Sequence, residues 1–121
     1  MNERELIERY NDAWNAHDLD AIASMHADGI VFHNYSAGER AEGADAVREH
    51  IAQIFRNNPD ISFRGRRLYV SAGLVVNEWT ATATRDGKQL EWDGIDVFPI
   101  EDGKIKRKDV YSGFGVAREV G

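Results

Sequence analysis

The sequence predicts an α+β domain in which helices cover one face of a bent sheet. In the first half, apolar residues recur at helical spacing, whereas the second half is a run of long alternating segments joined by short turn signals. The length of 121 residues fits a single domain spanning 1–121, because a chain of this size buries about two-thirds of its unfolded surface and cannot divide that core.

Between 3 and 16, Leu6, Ile7, Tyr10, Ala13 and Trp14 fall three and four apart, which places them on one helical stripe. Asn15-Ala16-His17-Asp18 breaks that helix, and Asp18 can cap a second short helix that carries Leu19, Ile22 and Ala23 toward His26 and ends at Asp28-Gly29. The β-branched and aromatic segment 30–35 predicts a short strand, and 36–43 an open loop. A third helix over about 45–56 turns Val47, Ile51, Ile54 and Phe55 inward and stops at Asn57-Asn58-Pro59. Strands over 61–71, 74–85, 88–100 and 104–114 follow, made antiparallel by the turns Ala72-Gly73, Asp86-Gly87 and Glu101-Asp102-Gly103.

Alternation assigns the faces of these strands. On the last one, Lys104, Lys106 and Lys108 share a parity, and three ammonium groups belong in water, so Ile105, Arg107, Asp109 and Tyr111 are expected to point inward. Arg107 and Asp109 would then form an ion pair near the rim or offer an acid to the interior. On 74–85, Thr80, Thr82 and Thr84 take an outer face suited to self-association, while Asn77 and Trp79 face inward and Trp79 becomes a pocket wall. On 88–100, Trp92, Asp96 and Phe98 separate from Glu91, Asp93 and Ile95, and parity does not choose which set is inside. Trp14, Phe32, Phe55, Trp79, Phe98 and Tyr111 are the candidates to line a pocket for a flat hydrophobic ligand.

Composition removes several classes of function. Without cysteine there is no disulfide, thiolate nucleophile or Cys-ligated metal. A net charge of -6 opposes a phosphate backbone, so nucleic acid is not an expected partner. No stretch approaches the roughly 20 apolar residues of a membrane span, and Met1-Asn2-Glu3-Arg4-Glu5 lacks a secretory signal pattern, which together suggest a cytoplasmic protein. His17 reads as a cap or solvent residue, His26 and His50 as helix flanks, and His33 as turned away from Asn34. Neither a metal-binding His spacing nor a Gly-rich phosphate loop is present, so no metal or cofactor is expected.

Three segments, Tyr10 to Asp20, Gly94-Ile95-Asp96-Val97-Phe98 and Glu101-Asp102-Gly103-Lys104-Ile105, resemble the SnoaL-like and ketosteroid isomerase-like branch of the nuclear transport factor 2-like superfamily. The resemblance covers nearly the whole chain. It implies a cone-shaped, partly closed sheet packed on three N-terminal helices, a pocket between them, and often a homodimer. It places Tyr10 and Asp96 at the two proton-donor positions of an oxyanion hole, where an Asp between Trp92 and Phe98 would lose hydration and favour its protonated form. Asn34 stands where that family keeps its general base, and an amide cannot take a proton from carbon. His33, Asp109 or another group is left for that role, with Asp109 or a polar neighbour such as Asn34 handling the proton or positioning water. An epoxide hydrolase-like reading matches only Asn34 and Asp109. The expected activity is therefore cofactor-independent acid–base rearrangement, cyclisation or isomerisation of a small hydrophobic carbonyl compound by Tyr10, Asn34, Asp96 and Asp109. A non-catalytic binding or dimeric accessory domain is the alternative.

Overall fold

The structure, a computed structural model, describes residues 1–120. Helix α1 (Glu3–Asn15) starts where Asn2 Oδ1 accepts the Glu5 N–H at 2.8 Å, and it buries Leu6, Ile7, Tyr10, Ala13 and Trp14 as their spacing predicts. Asp18 caps α2 (Leu19–Ser24). The chain leaves that helix at Met25, and His26 already opens β1 (His26–Asn34), earlier than local sequence suggests. The reason is tertiary: the Ile105 N–H reaches the Met25 carbonyl at 2.9 Å and His26 pairs with Ile105, so the sheet captures a segment that could have stayed helical.

The expected open loop contains a strand, β2 (Glu39–Glu42), antiparallel to β1; its mostly exposed side chains give no alternation to read. Helix α3 (Ala44–Asn57) follows, then β3 (Ser62–Ser71), β4 (Leu74–Arg85), β5 (Lys88–Glu101) and β6 (Lys104–Ser112). Beyond β6, where a strand was expected to reach Phe114, the chain instead makes a 3-10 turn at Phe114–Val116, and β7 (Arg118–Glu119) then pairs with β5. The sheet order is β2-β1-β6-β5-β4-β3, with β1 and β6 parallel and every other pair antiparallel. The result is a curved, open, mixed sheet with the helices packed on its concave face. On the convex face Thr80 is not available for association, because it is buried and donates to Asp93 Oδ1 at 2.8 Å.

One irregularity reverses the expected face of half a strand. Val97 to Ile100 on β5 stands opposite Ile105 to Asp109 on β6, one residue more, so β6 bulges. Pro99 lies inside that interval. Ile100 donates its N–H to Gly73 on the β4 side at 2.9 Å, so by alternation the amide of Pro99 faces β6 and has no hydrogen to give. The bulge carries Ile105, Lys108 and Val110 inward. The expectation that Lys108 is solvated while Arg107, Asp109 and Tyr111 point inward is overturned. Lys108 is 6% exposed, whereas Tyr111 is 47% exposed and stacks on Tyr35.

The face left open on β5 is settled by a close approach. Trp79 pairs with Gly94, and a Cβ at Gly94 would lie 2.2 Å from the Trp79 ring, so the indole lies over the glycine and Trp92, Asp96 and Phe98 face inward. Gly94→Ala should therefore lose about 1–3 kcal/mol in a urea titration through overpacking, while Gly29→Ala, whose Cβ meets open space, should stay within about 0.5 kcal/mol of the parent.

Candidate functional site

Between the concave face and the helices lies a cavity of about 640 Å³, within the range that holds small organic ligands. Its aromatic walls come from several elements: Trp14 from α1, Phe32 from β1, Phe63 from β3, Trp79 from β4 and Trp92 from β5, with Phe114 beyond β6. Asp96 and Lys108 line its buried end, while Asn34, Glu39 and Arg85 line its more exposed part.

Lys108 Nζ donates to Asp96 Oδ2 at 3.1 Å, with both side chains almost fully enclosed. Asn77, opposite Asp96 across β4 and β5, donates to the same oxygen at 3.3 Å. Asn77 is in turn held by a reciprocal amide pair with Asn11 of α1. Asp96 Oδ1 is buried and has no hydrogen-bond partner among the described residues. The ammonium sits 4.6 Å from the centroid of the Trp14 ring, 5.1 Å from Phe98, 5.5 Å from Tyr10 and 5.7 Å from Phe32. Burial pushes the Lys108 pKa below its ordinary value, and the Asp96 charge and hydrogen bond offset part of that fall.

Behind this pair, Tyr10 is fully buried and its hydroxyl lies 2.8 Å from His26 Nε2. Burial holds the phenol well above its usual pKa. Burial, and after it the Lys108 charge, lowers the His26 pKa from 6.5 to about 4, so the folded protein favours the neutral ring.

The residues expected at a site separate into three groups. Asp96, Asn34, Trp14, Phe32 and Trp79 line the cavity. Tyr10 and Phe98 lie behind its wall: Tyr10 bonds His26 instead of sharing a ligand oxygen with Asp96, and the Phe98 ring packs edge-on against Tyr10 with the Lys108 ammonium over its face. Phe55 packs against Trp14 and stacks on His17, away from the lining. Asp109 and Tyr111 sit on the far side of β6, because the bulge reverses their parity, and Asp109 is held by Arg107 at 2.9 and 3.3 Å. Lys108 is the residue that sequence reasoning missed. Pro99, which argues for a bulge within an otherwise regular strand, is the signal that could have found it. Other histidines differ from expectation, while His33 stays off the cavity lining as expected. His17 bonds the Ile61 carbonyl at 2.8 Å, and His50 packs edge-on against Phe32.

A curved sheet with a ligand-sized cavity under three helices defines the class: a cone-shaped α+β pocket protein. The SnoaL-like domain model matches residues 7–108, and the chain belongs to that family. No curated protein matches it. Among solved structures, it is similar to SalBIII, an epoxide hydrolase/cyclase-like enzyme with a role in pyran ring formation in the polyether salinomycin; the TM-score is 0.85 at 20% identity, covering 97% of this chain and 95% of that one. A proposed SnoaL-like polyketide cyclase from Jannaschia sp. CCS1 matches with a TM-score of 0.82 at 19% identity over 90% of this chain and 83% of that one. A Catenulispora acidiphila protein with a ketosteroid isomerase-like fold, in complex with trimethylamine, matches with a TM-score of 0.81 at 13% identity over 88% and 84%. At these identities the likeness establishes the fold.

Two measurements follow from the buried charges. Lys108→Met strands the Asp96 carboxylate and should cost about 3–5 kcal/mol in urea melts; adding Asp96→Leu should restore most of that loss. His26 resists protonation when folded, so the unfolded chain takes up the proton first as pH falls. Stability should drop between pH 6.5 and about 4, by roughly 3 kcal/mol, and His26→Gln should remove that part of the slope.

Proposed function

We propose that this chain is a cofactor-independent acid–base enzyme of the isomerase or cyclase kind, acting on a small hydrophobic carbonyl compound in the cavity, and that it works as a homodimer. The observation that carries this reading is the Asp96–Lys108 pair at the buried end of an aromatic cavity of ligand size. A carbonyl oxygen beside Lys108 Nζ gains a charge-assisted hydrogen bond that strengthens as negative charge develops on the oxygen. Asp96, 3.1 Å from that nitrogen, takes a proton from the adjacent carbon and can return it elsewhere on the same molecule. Asn77 and Asn11 hold the carboxylate in place, and the burial of the Asp96 and Lys108 side chains lets both effects act at reduced dielectric. Asn34, at the more exposed part of the cavity, contacts the outer part of the ligand.

The dimer reading has a separate support. On the convex face Tyr35 stacks on Tyr111, and Ile95, paired with Tyr111, is also exposed, which makes an apolar patch on the sheet. Sedimentation equilibrium should return twice the 13.7 kDa chain mass, and Tyr111→Glu should shift the protein toward monomer.

For the chemistry, 2-tetralone serves as a flat hydrophobic ketone probe, with exchange of its α-protons in D₂O followed by NMR. The native protein should accelerate exchange, and Asp96→Asn should lower that acceleration about a hundredfold or more. Equal acceleration by native and Asp96→Asn protein, with both folded by circular dichroism, refutes the assignment of Asp96.

A further inference from the structure

We infer that Lys108 is also a carbonyl-capturing nucleophile, forming an imine with an aldehyde or ketone bound in the aromatic cavity. This rests on the acid–base reading of the cavity and adds a covalent step to it.

The chain has four lysines, at 88, 104, 106 and 108. Three of them lie on the surface and are occupied there: Lys88 pairs with Glu119, Lys104 donates to the Ser24 carbonyl, and Lys106 pairs with Glu101. Lys108 differs in every respect that matters to nucleophilicity. It lines the cavity, its hydrogen-bonding partner among the described residues is Asp96, and the ammonium also lies over four aromatic rings. An amine so desolvated gives up a proton more readily than one in water, which is how a lysine becomes a carbonyl nucleophile near neutral pH.

The step balances within the pair. Asp96 takes one proton from the ammonium, and the freed Nζ lone pair adds to the carbonyl carbon as the π electrons move to oxygen. Asp96 returns its proton to that oxygen. The second nitrogen proton follows it to oxygen, the C–O bond breaks, and one water leaves. An ammonium and a carbonyl have become an iminium and water, with the charge unchanged. The product cation thus keeps the carboxylate counterion and the aromatic faces that held the ammonium. The iminium also withdraws electrons from its neighbouring carbon, whose proton Asp96 is placed to accept.

The probe for this step is 2-naphthaldehyde with sodium cyanoborohydride at neutral pH, which fixes imines as secondary amines, followed by proteolysis and fragment mass spectrometry. The adduct should form at Lys108 at least about tenfold faster than at Lys88, Lys104 or Lys106. Lys108→Arg keeps the cation but cannot form the imine; it should lose that adduct while surface labelling continues. Labelling of Lys108 no faster than that of the surface lysines overturns the inference, and this readout comes from the native protein whether or not the variant folds. The ketone exchange assay separates the two proposals. If Lys108 is labelled no faster than the surface lysines while Asp96→Asn loses exchange, capture by Lys108 is refuted and the acid–base reading stands. If Asp96→Asn leaves exchange unchanged but Lys108 is selectively labelled, the acid–base reading falls and the capture of carbonyls by Lys108 stands.

Discussion

The ion pair between Lys108 and Asp96 is the constraint around which the interior is arranged. Removing two opposite charges from water costs several kcal/mol each, and a contact at 3.1 Å offsets that only when the remaining hydrogen-bonding groups are also placed. Here the placement is shared among α1, β4, β5 and β6 and is complete except at Asp96 Oδ1, which has no partner among the described residues. Asn11 on the helix fixes Asn77, Asn77 fixes the carboxylate, and four aromatic rings surround the ammonium within cation–π distance. A pair of well-packed aliphatic side chains would serve stability as well or better, so the pair is not explained by stability alone, and the proposed chemistry gives the two charges a use.

That arrangement exists because the sheet is not regular. A proline on β5 offers β6 no hydrogen where a ladder bond would form, β6 accommodates one extra residue, and the parity of everything after Ile105 reverses. The same shift that brings Lys108 inside puts Asp109 outside, where Arg107 grips it. On the neighbouring strands, the absence of a side chain at Gly94 lets the Trp79 indole lie flat on the sheet, which shapes the cavity wall without closing it.

Most of the fold was legible in the sequence because the patterns that encode it are local. The α1 stripe, the Asp18 cap and the Asp-Gly hairpins need only neighbouring residues to be read, and both residues of each Asp-Gly turn adopt the positive φ such hairpins require. The early start of β1 and the existence of β2 were not legible, since each depends on a partner strand distant in sequence. The candidate site was half legible. Regular alternation on β4 correctly turns Asn77 and Trp79 inward, and the family resemblance singles out Asp96. Strict alternation fails on β6, where three lysines at every second position imitate a solvated edge and one of them is buried. Tyr10, chosen by the same resemblance, occupies its expected helical position, but its hydroxyl is engaged by His26.

The claim on which the account rests is that Lys108 is a desolvated amine facing Asp96. The direct measurement is an NMR titration of protein labelled with ¹³C at the lysine ε-carbons, with the Lys108 signal assigned by its loss in Lys108→Arg. The account predicts a Lys108 midpoint below that of an ordinary lysine, about 10.4, and a further fall in Asp96→Asn, because the carboxylate now holds part of the proton affinity in place. A Lys108 signal that titrates as a solvated lysine, and that ignores the loss of Asp96, would contradict it.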